Sequence, residues 1–349
     1  MKIAKLLGAA SLIAMLAAGP AKAAGTINIV SWAPPSHHIN AKVWPWWGEC
    51  ISKATGGSVK YRIEYHKGHP KQMTDRVRKG SADASWIFHG YSPGRFPLQQ
   101  VAEMPGLNMS ATAGSIAYWK VYQKHLKKAN EHRGVEVIAM TTHGPGVLHT
   151  RKPIKGWGDL NGLKIRVPGG VGTAIIKALG GKGVGVPAPK VYQTLAQGVA
   201  DGIIMPIETK KSFKLSEVAP HTIIVPGGMY YGAFAFIMSP AKLKSLTAAE
   251  QKAVRGCSGE RLSRVAGQQW DAADKAGLAH GRKAKGNTIR TAGDKMTAEY
   301  FNIVSGVESA WVKKAANKGV DGTAALADMR RFAREADSMM MKKEKMMKK

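Results

Sequence analysis

One arginine lies where the sequence could bind an acid. Arg166 belongs to a short run, Leu163–Val167, in which apolar and basic residues alternate between Gly162 and Pro168, and this alternation predicts a β-strand. An arginine at a strand end, before a Gly/Pro loop, suits the cleft in which α/β domains collect ligands. Its planar guanidinium can pair with both oxygens of a carboxylate, which lysine cannot do. The pattern therefore predicts a carboxylate site at Arg166.

The candidate catalytic motifs in the chain lack residues or spacings that their chemistry requires. The run Gly90–Gly94 has the G-x-S-x-G form of a nucleophile elbow, but the residue after the serine is Pro93, which has no N–H for an oxyanion hole. The glycine-rich run Gly180–Gly185 matches no phosphate-binding pattern. The eleven histidines form no H-E-x-x-H or Cys/His cluster. We predict no enzyme, no metal and no cofactor, with an exported enzyme of non-standard site as the alternative.

Strands and helices alternate along the chain, which indicates βαβ units and largely parallel sheets. Around Arg166 the order is strand, helix, strand, helix. A capping box formed by Thr247 and Glu250 begins a helical pattern that runs with few breaks to about Lys285. A helix of this length could contact two lobes. Further strands are predicted at 26–32, 59–65, 82–88, 135–141 and 233–238.

A long segment resembles a known family. DLNGLKIRVPGG, from Asp159, and VPAPKVYQTLAQGVADG, ending at Gly202, look like the signature of the periplasmic substrate-binding proteins of TRAP transporters, the DctP type. The resemblance covers most of the chain up to about Gly281. It extends through five shorter motifs: Pro34-Pro-Ser-His37, Thr55-Gly-Gly57, RKGSAD from Arg78, MPGL from Met104 and LTAAEQ from Leu246.

The resemblance implies an α/β, two-lobed periplasmic-binding-protein-like fold, each lobe a mostly parallel sheet flanked by helices, with a long helix spanning the lobes. We expect the first lobe from residues 24–143 and 231–271, and the second from 144–230 and 272–337. A Met/Lys-rich tail at 338–349 is expected to be frayed. The implied function is capture of a small organic acid anion by hinge closure, and its transfer to the small and large membrane subunits of a TRAP transporter.

The resemblance also implies that Arg166 clamps the ligand carboxylate. Positions that carry polar partners in sugar-acid binders fall near Phe88 and Tyr91 here, and another polar position falls at Met205. The cleft is therefore expected to have apolar and aromatic walls. The predicted ligand-binding residues are Arg166, Trp32, Phe88, His89, Tyr91, His149, Met205, Tyr230 and Tyr231.

A single cation among apolar walls favours a monocarboxylate with an apolar or aromatic body. A second carboxylate buried without a partner would carry a large desolvation penalty. A C4-dicarboxylate remains the alternative, and it would require His149, His89 or Arg151 to turn inward.

The N-terminus predicts export. Lys2 and Lys5 precede an apolar run, and Ala21-Lys-Ala23 has the small-x-small form of a cleavage site, so residues 1–23 are predicted to be a signal peptide cut after Ala23. The mature protein is expected to be periplasmic. Its formal net charge of +29 before cleavage favours anionic partners. The exported address and the absence of nucleic-acid-binding motifs argue against nucleic acid. Membrane contact is expected only through the transporter; surface binding through the basic tail is a further alternative.

Cys50 and Cys257 are the only cysteines in the sequence. An oxidising compartment permits a disulfide between them. They lie in separate predicted helical segments, and pairing requires a proximity that spacing alone cannot establish. A disulfide and two buried free thiols both remain open.

Overall fold

The computed structural model describes residues 25–347, so the predicted signal peptide at 1–23 lies outside the described residues. The β-strands are β1 (Gly25–Val30), β2 (Val59–Glu64), β3 (Ala84–Phe88), β4 (Glu136–Thr142), β5 (Gly146–Thr150), β6 (Lys164–Val167), β7 (Lys182–Gly185), β8 (Gly202–Pro206), β9 (His221–Ile224), β10 (Ala233–Met238) and β11 (Thr288–Thr291). The α-helices are α1 (Trp44–Ala54), α2 (Met73–Arg78), α3 (Ala111–Val121), α4 (Gly170–Ala178), α5 (Val191–Ala196), α6 (Thr209–Ser212), α7 (Leu215–Val218), α8 (Pro240–Ser245), α9 (Ala248–Gly256), α10 (Glu260–Lys283), α11 (Asp294–Ile303), α12 (Gly306–Ala316) and α13 (Gly322–Met347).

The first lobe contains a five-stranded sheet in the order β2-β1-β3-β10-β4. Strand β1 pairs in parallel with β2 and β3, whereas β10 lies antiparallel between β3 and β4. Every residue of β3 (ASWIF) and of β10 (AFAFIM) is buried. Such continuous apolar runs are typical of strands that are covered on both faces.

The second lobe contains a six-stranded sheet in the order β11-β9-β5-β8-β6-β7. Only β5 runs against its neighbours β8 and β9; the pairs β6–β7, β6–β8 and β9–β11 are parallel. Both sheets are therefore mostly parallel, each with one reversed strand. This arrangement confirms the predicted two-lobed α/β fold class.

Helix α10 joins the lobes. It packs against α3 and β4 in the first lobe and against α6 and β11 in the second. Two glycines allow these approaches: a Cβ on Gly267 would lie 2.5 Å from the Cα of Thr112, and a Cβ on Gly277 would lie 2.3 Å from the Cα of Glu208. Both distances are below any normal carbon–carbon contact. The predicted helix spanning the lobes is thus present, and a glycine allows it to pack closely against each lobe.

The predicted capping box starts α9. The hydroxyl of Thr247 accepts from the backbone N–H of Glu250 at 3.3 Å, and the Glu250 carboxylate accepts from the Thr247 N–H at 2.8 Å. The helical pattern that follows is interrupted between α9 and α10. There, Cys257 forms a disulfide with Cys50 of α1, 207 residues away in sequence. Because α1 packs on α9, the disulfide lies within the first lobe.

Helix α13 differs from expectation. It continues to Met347, so the tail predicted to be frayed is helical up to that residue. Favourable helix formers, Met, Lys and Glu, account for this continuation. Helix α13 also packs on α3 and on the 3₁₀ helix Leu98–Glu103 of the first lobe, although residues 272–337 were expected in the second. The division of the chain between the lobes remains a prediction.

Candidate functional site

Arg166 lies in β6, between β7 and β8, and is almost wholly buried, with 1% of its surface exposed. Its Nε donates to the carbonyl of Val186 at 2.7 Å, and its Nη1 lies 3.4 Å from the carbonyl of Ile204. Its Nη2 has no hydrogen-bond partner among residues 25–347. The second lobe therefore fixes the guanidinium from behind and leaves one donor edge available to an anion.

Tyr91 stands beside this guanidinium. Its hydroxyl accepts from the backbone N–H of Ala188 at 2.9 Å and interacts with Arg166. Burial raises the pKa of Tyr91, while the charge of Arg166 acts in the opposite direction. Because the phenol stays protonated near neutral pH, its hydrogen can be donated to a carboxylate held by Arg166. We call this region, Arg166 with Tyr91, the arginine end.

A cavity of about 40 Å³ lies between the lobes, next to the arginine end. Its walls are largely aromatic and apolar. Trp32 stacks on Trp86, with ring centroids 4.2 Å apart, and its indole N–H donates to the Trp86 carbonyl at 3.1 Å. The predicted residues that line the cavity are Arg166, Trp32, Phe88, Tyr91, Met205 and Tyr230. Since a cavity that holds benzene measures about 150 Å³, the lobes are closed more tightly here than an aromatic ligand would allow.

The cavity wall also contains polar groups. His37 and His143 flank the indole ring of Trp270, with centroid distances of 5.6 and 5.9 Å. Burial lowers the pKa of His37 to about 3 and that of His143 to about 4, so both imidazoles are neutral near pH 7. Glu208 follows β8 and bonds to the Ser212 hydroxyl; burial raises its pKa to about 7. We call His37, His143 and Glu208 the histidine end.

Three predicted site residues do not line this cavity. His89 bonds to the Ala233 carbonyl at 3.0 Å and to His132 at 2.8 Å, inside the first lobe. The imidazole of His149, in β5, bonds to the Thr222 hydroxyl at 3.0 Å within the second sheet. The hydroxyl of Tyr231 accepts from the Met109 N–H at 3.1 Å. His89 and Tyr231 directly follow Phe88 and Tyr230, which do line the cavity, and His89 begins a 3₁₀ helix, His89–Tyr91.

Sequence reasoning missed much of the cavity wall. The missed residues are His37, His143, Pro168, Ala188, Pro206, Glu208, Phe213, Phe234 and Trp270. One signal could have found two of them: His143 directly follows β4, and Glu208 comes two residues after β8. Polar residues just beyond the carboxyl ends of strands are candidates for a ligand site in α/β folds.

Three contacts hold the lobes together beside the cavity. The first is the bond from Ala188 of the second lobe to the Tyr91 hydroxyl. In the second, the buried carboxylate of Glu103 accepts from the N–H of Val171, in the first turn of α4, at 3.0 Å. The third is a backbone contact, since a Cβ on Gly169 would lie 2.1 Å from the carbonyl oxygen of Gly90.

Residues 25–347 contain no group of three or more His, Cys, Asp or Glu side chains that could hold a metal ion. No helix in that same stretch has both the length and the apolar character to cross a bilayer.

The chain matches the sequence model of a known protein family. The sequence model of the family described as bacterial extracellular solute-binding protein, family 7 (DctP), matches residues 30–314. This match includes both sheets, apart from the first residues of β1.

Solved structures of related proteins resemble the whole fold. A TRAP periplasmic solute-binding protein from Bordetella bronchiseptica, with bound (R)- and (S)-mandelate, is 38% identical with a TM-score of 0.86, over 89% of this chain and 99% of that one. A TRAP solute-binding protein from Rhodoferax ferrireducens T118, with co-purified benzoate, is 29% identical with a TM-score of 0.85, over 90% and 99%. A marine metagenome protein specific for aromatic acids, with 3-hydroxybenzoate, is 33% identical with a TM-score of 0.83, over 89% and 98%.

Proposed function

Because the chain belongs to family 7 of the bacterial extracellular solute-binding proteins, the DctP family, we propose that it captures a small aromatic monocarboxylate for a TRAP transporter. Arg166 holds the carboxylate, the lobes close over the ring, and the loaded protein delivers its ligand to the small and large membrane subunits. The compartment is the periplasm, as for the family.

The observation that carries this proposal is the buried guanidinium of Arg166. Two backbone carbonyls position it, and its Nη2 has no partner within residues 25–347. A buried cation with one unused donor edge is costly unless an anion completes it. Closure of the lobes lowers the local dielectric constant, which strengthens the ion pair with a carboxylate.

The walls of the cavity favour an aromatic body over a sugar or a dicarboxylate. Trp32, Phe88, Met205 and Phe234 offer ring and thioether surface, and sugar hydroxyls facing them would lose their hydrogen bonds to water. Among the described residues that line the cavity, Arg166 is the one permanent cation, so a second carboxylate would have no cationic partner. The ligands of the three relatives, mandelate, benzoate and 3-hydroxybenzoate, agree with this class.

Catalysis is not part of the proposal. The family and the related structures are solute-binding proteins, which supports a protein that binds and releases its ligand unchanged. The nearest formal motif, G-x-S-x-G at Gly90–Gly94, still has Pro93 at its oxyanion position.

Calorimetry and thermal shift with matched ligands test the proposal. Benzoate, mandelate and 3-hydroxybenzoate are compared with succinate and galacturonate. A ligand that binds only the folded protein raises its melting temperature by linkage. We expect the aromatic acids to bind and to stabilise the protein, and benzamide, which has the shape of benzoate without its charge, to do neither. Tight binding of succinate with no detectable heat from the aromatic acids would overturn the proposed ligand class.

A further inference from the structure

The histidine end has a defined donor and acceptor. His37 Nδ1 accepts from the N–H of Ile39 at 3.3 Å, so the neutral ring carries its hydrogen on Nε2, which is a donor. His143 Nδ1 lies 2.5 Å from the carbonyl of Gly144 and must donate to it, so its Nε2 is an acceptor. Both residues line the cavity, and each has a ring contact with Trp270. One donor and one acceptor satisfy a hydroxyl group, which both donates and accepts.

Acidic groups gather at the same end of the cavity. Glu208 lines it, and the backbone N–H of Glu208 donates to the carboxylate of Asp274, on α10, at 3.1 Å. Burial and the neighbouring Glu208 both raise the pKa of Asp274. A second carboxylate on a ligand would therefore lie against Glu208, which repels it when ionised, whereas a hydroxyl could donate to Glu208.

Apolar rings contact residues of both the arginine end and the histidine end. Trp32 contacts the rings of both Tyr91 and His37, at centroid distances of 6.0 and 6.5 Å. Phe234 lies 5.0 Å from Phe88 and 6.0 Å from His143. A planar ring placed among them would have its carboxylate at the arginine end and its far edge at the histidine end.

We propose that the histidine end is a site that recognises a hydroxyl group; this inference rests on the proposed function. The preferred ligand is then a hydroxylated aromatic monocarboxylate. His37 donates to the hydroxyl oxygen, and His143 or Glu208 accepts its hydrogen. In its ionised form the same Glu208 disfavours aromatic dicarboxylates. His143 and Glu208 are thus specificity-determining residues, in addition to the carboxylate-binding Arg166.

The test measures a ratio of affinities. Calorimetry gives Kd for benzoate, the three hydroxybenzoate isomers, mandelate and isophthalate, with the full mature protein. For the wild type we expect at least one hydroxybenzoate isomer to bind about three- to tenfold more tightly than benzoate, the range of a net neutral hydrogen bond. His143→Phe should bring this ratio close to one. Glu208→Gln should weaken the preference and improve the binding of isophthalate relative to benzoate.

A matched control and the possible outcomes distinguish a failure of the hydroxyl site from a failure of the proposed function. His280→Phe replaces an exposed histidine of α10 and should change neither affinity nor ratio. If benzoate binds but every hydroxylated acid lies within twofold of it, the hydroxyl site is wrong while the proposed function stands. The same holds if His143→Phe and Glu208→Gln both keep the wild-type ratio. If no aromatic acid binds at all, the proposed function fails and this inference fails with it.

Discussion

The two lobes bring different chemistry to the same cavity. The second lobe contributes Arg166 and Glu208, and the guanidinium of Arg166 is held by carbonyls of that lobe alone. The first lobe contributes Trp32, Phe88 and Tyr91, which are mainly ring surface. The second lobe can therefore meet a carboxylate while the cleft is open. The first lobe adds affinity only when it closes, by excluding water from the ring and from the ion pair.

Direct hydrogen bonds between the two lobes also stabilise the closed arrangement. Tyr91 with Ala188 and Glu103 with Val171 join the lobes by hydrogen bonds that need no ligand. Ligand affinity should then have two separable contributions. One is the electrostatic attraction between the carboxylate and Arg166 of the second lobe, and the other is the free energy of closing the lobes. The following variants distinguish them.

Arg166→Lys should have the largest effect, because it removes the planar donor edge and leaves a differently placed cation in a buried site. Hydrogen bonds to charged groups contribute about 1.5–3 kcal/mol, so we expect Kd for the cognate acid to rise by roughly 10- to 100-fold. Calorimetry measures this directly, with Lys164→Arg on the exposed start of β6 as the control. Binding by Arg166→Lys within twofold of the wild type would mean that the clamp lies elsewhere.

Gly169→Ala should act on closure. Gly169 has φ 101°, which only glycine adopts readily, and a Cβ there would meet the Gly90 carbonyl oxygen of the other lobe. Strain in such backbone regions costs about 1–3 kcal/mol. We expect about tenfold weaker binding, and a smaller fall in the radius of gyration on ligand addition than in the wild type, measured by small-angle scattering.

The control for this variant is Gly158→Ala, where a Cβ would meet no atom within 4 Å. Equal contraction of the wild type and Gly169→Ala at saturating ligand would show that the Gly90–Gly169 contact does not limit closure. No contraction of the wild type itself would count against hinge closure altogether.

Tyr91→Phe should have a smaller effect that combines both contributions. The variant keeps the ring but removes the acceptor for Ala188 of the second lobe and a donor beside Arg166. Loss of a neutral hydrogen bond costs about 0.5–1.5 kcal/mol, so a Kd about three- to tenfold higher is expected. Tyr192→Phe, which loses a bond to Glu217 on the exposed surface, is the control. Unchanged affinity would restrict Tyr91 to a packing role.

The pH dependence of stability should give the smallest effect. Burial raises the pKa of Glu103 from its usual 4.5 to about 7, and N–H donors from Val171 and Ala233 oppose it. The folded protein holds this proton to higher pH than the unfolded chain. The stabilisation is therefore complete below about pH 4.5 and is lost as the pH rises through about 7.

Glu103→Gln removes this titration and should reduce the fall in melting temperature of the wild type between pH 4.5 and 7. Buried histidines such as His37 and His143 have lowered pKa values, so their contribution is present above about pH 6.5 and is lost as the pH falls. Both proteins contain these histidines, so their contribution cancels when the melting temperatures of the two proteins are compared at each pH. If the two melting temperatures change with pH in parallel, the raised pKa does not belong to Glu103.

The sequence predicted those features that depend on local patterns. Alternation and terminal glycine or proline located β6, and the capping box of Thr247 with Glu250 located α9. Arg166 lies at the cavity because a strand end in an α/β fold has a defined place, although its role in binding stays a prediction. These signals need only a few neighbouring residues.

Other features depend on contacts that a single sequence does not contain. His149 lies in β5, whose residues are all buried, so neither face of the strand is marked as the ligand side. Trp270 reaches the cavity from α10 more than 100 residues after Arg166. The bond between Cys50 and Cys257 likewise depends on α1 packing on α9. Each requires the packing of distant elements to be known first.

The position of β10 has a consequence for the order in which the molecule can be assembled. This strand, Ala233–Met238, separates β3 from β4 in the first sheet, so β4 pairs with no strand that precedes β10 in the chain. A nascent chain that ends before residue 233 would leave an apolar strand edge open on both β3 and β4. The first sheet can therefore be completed only after every strand of the second sheet except β11 has been synthesised.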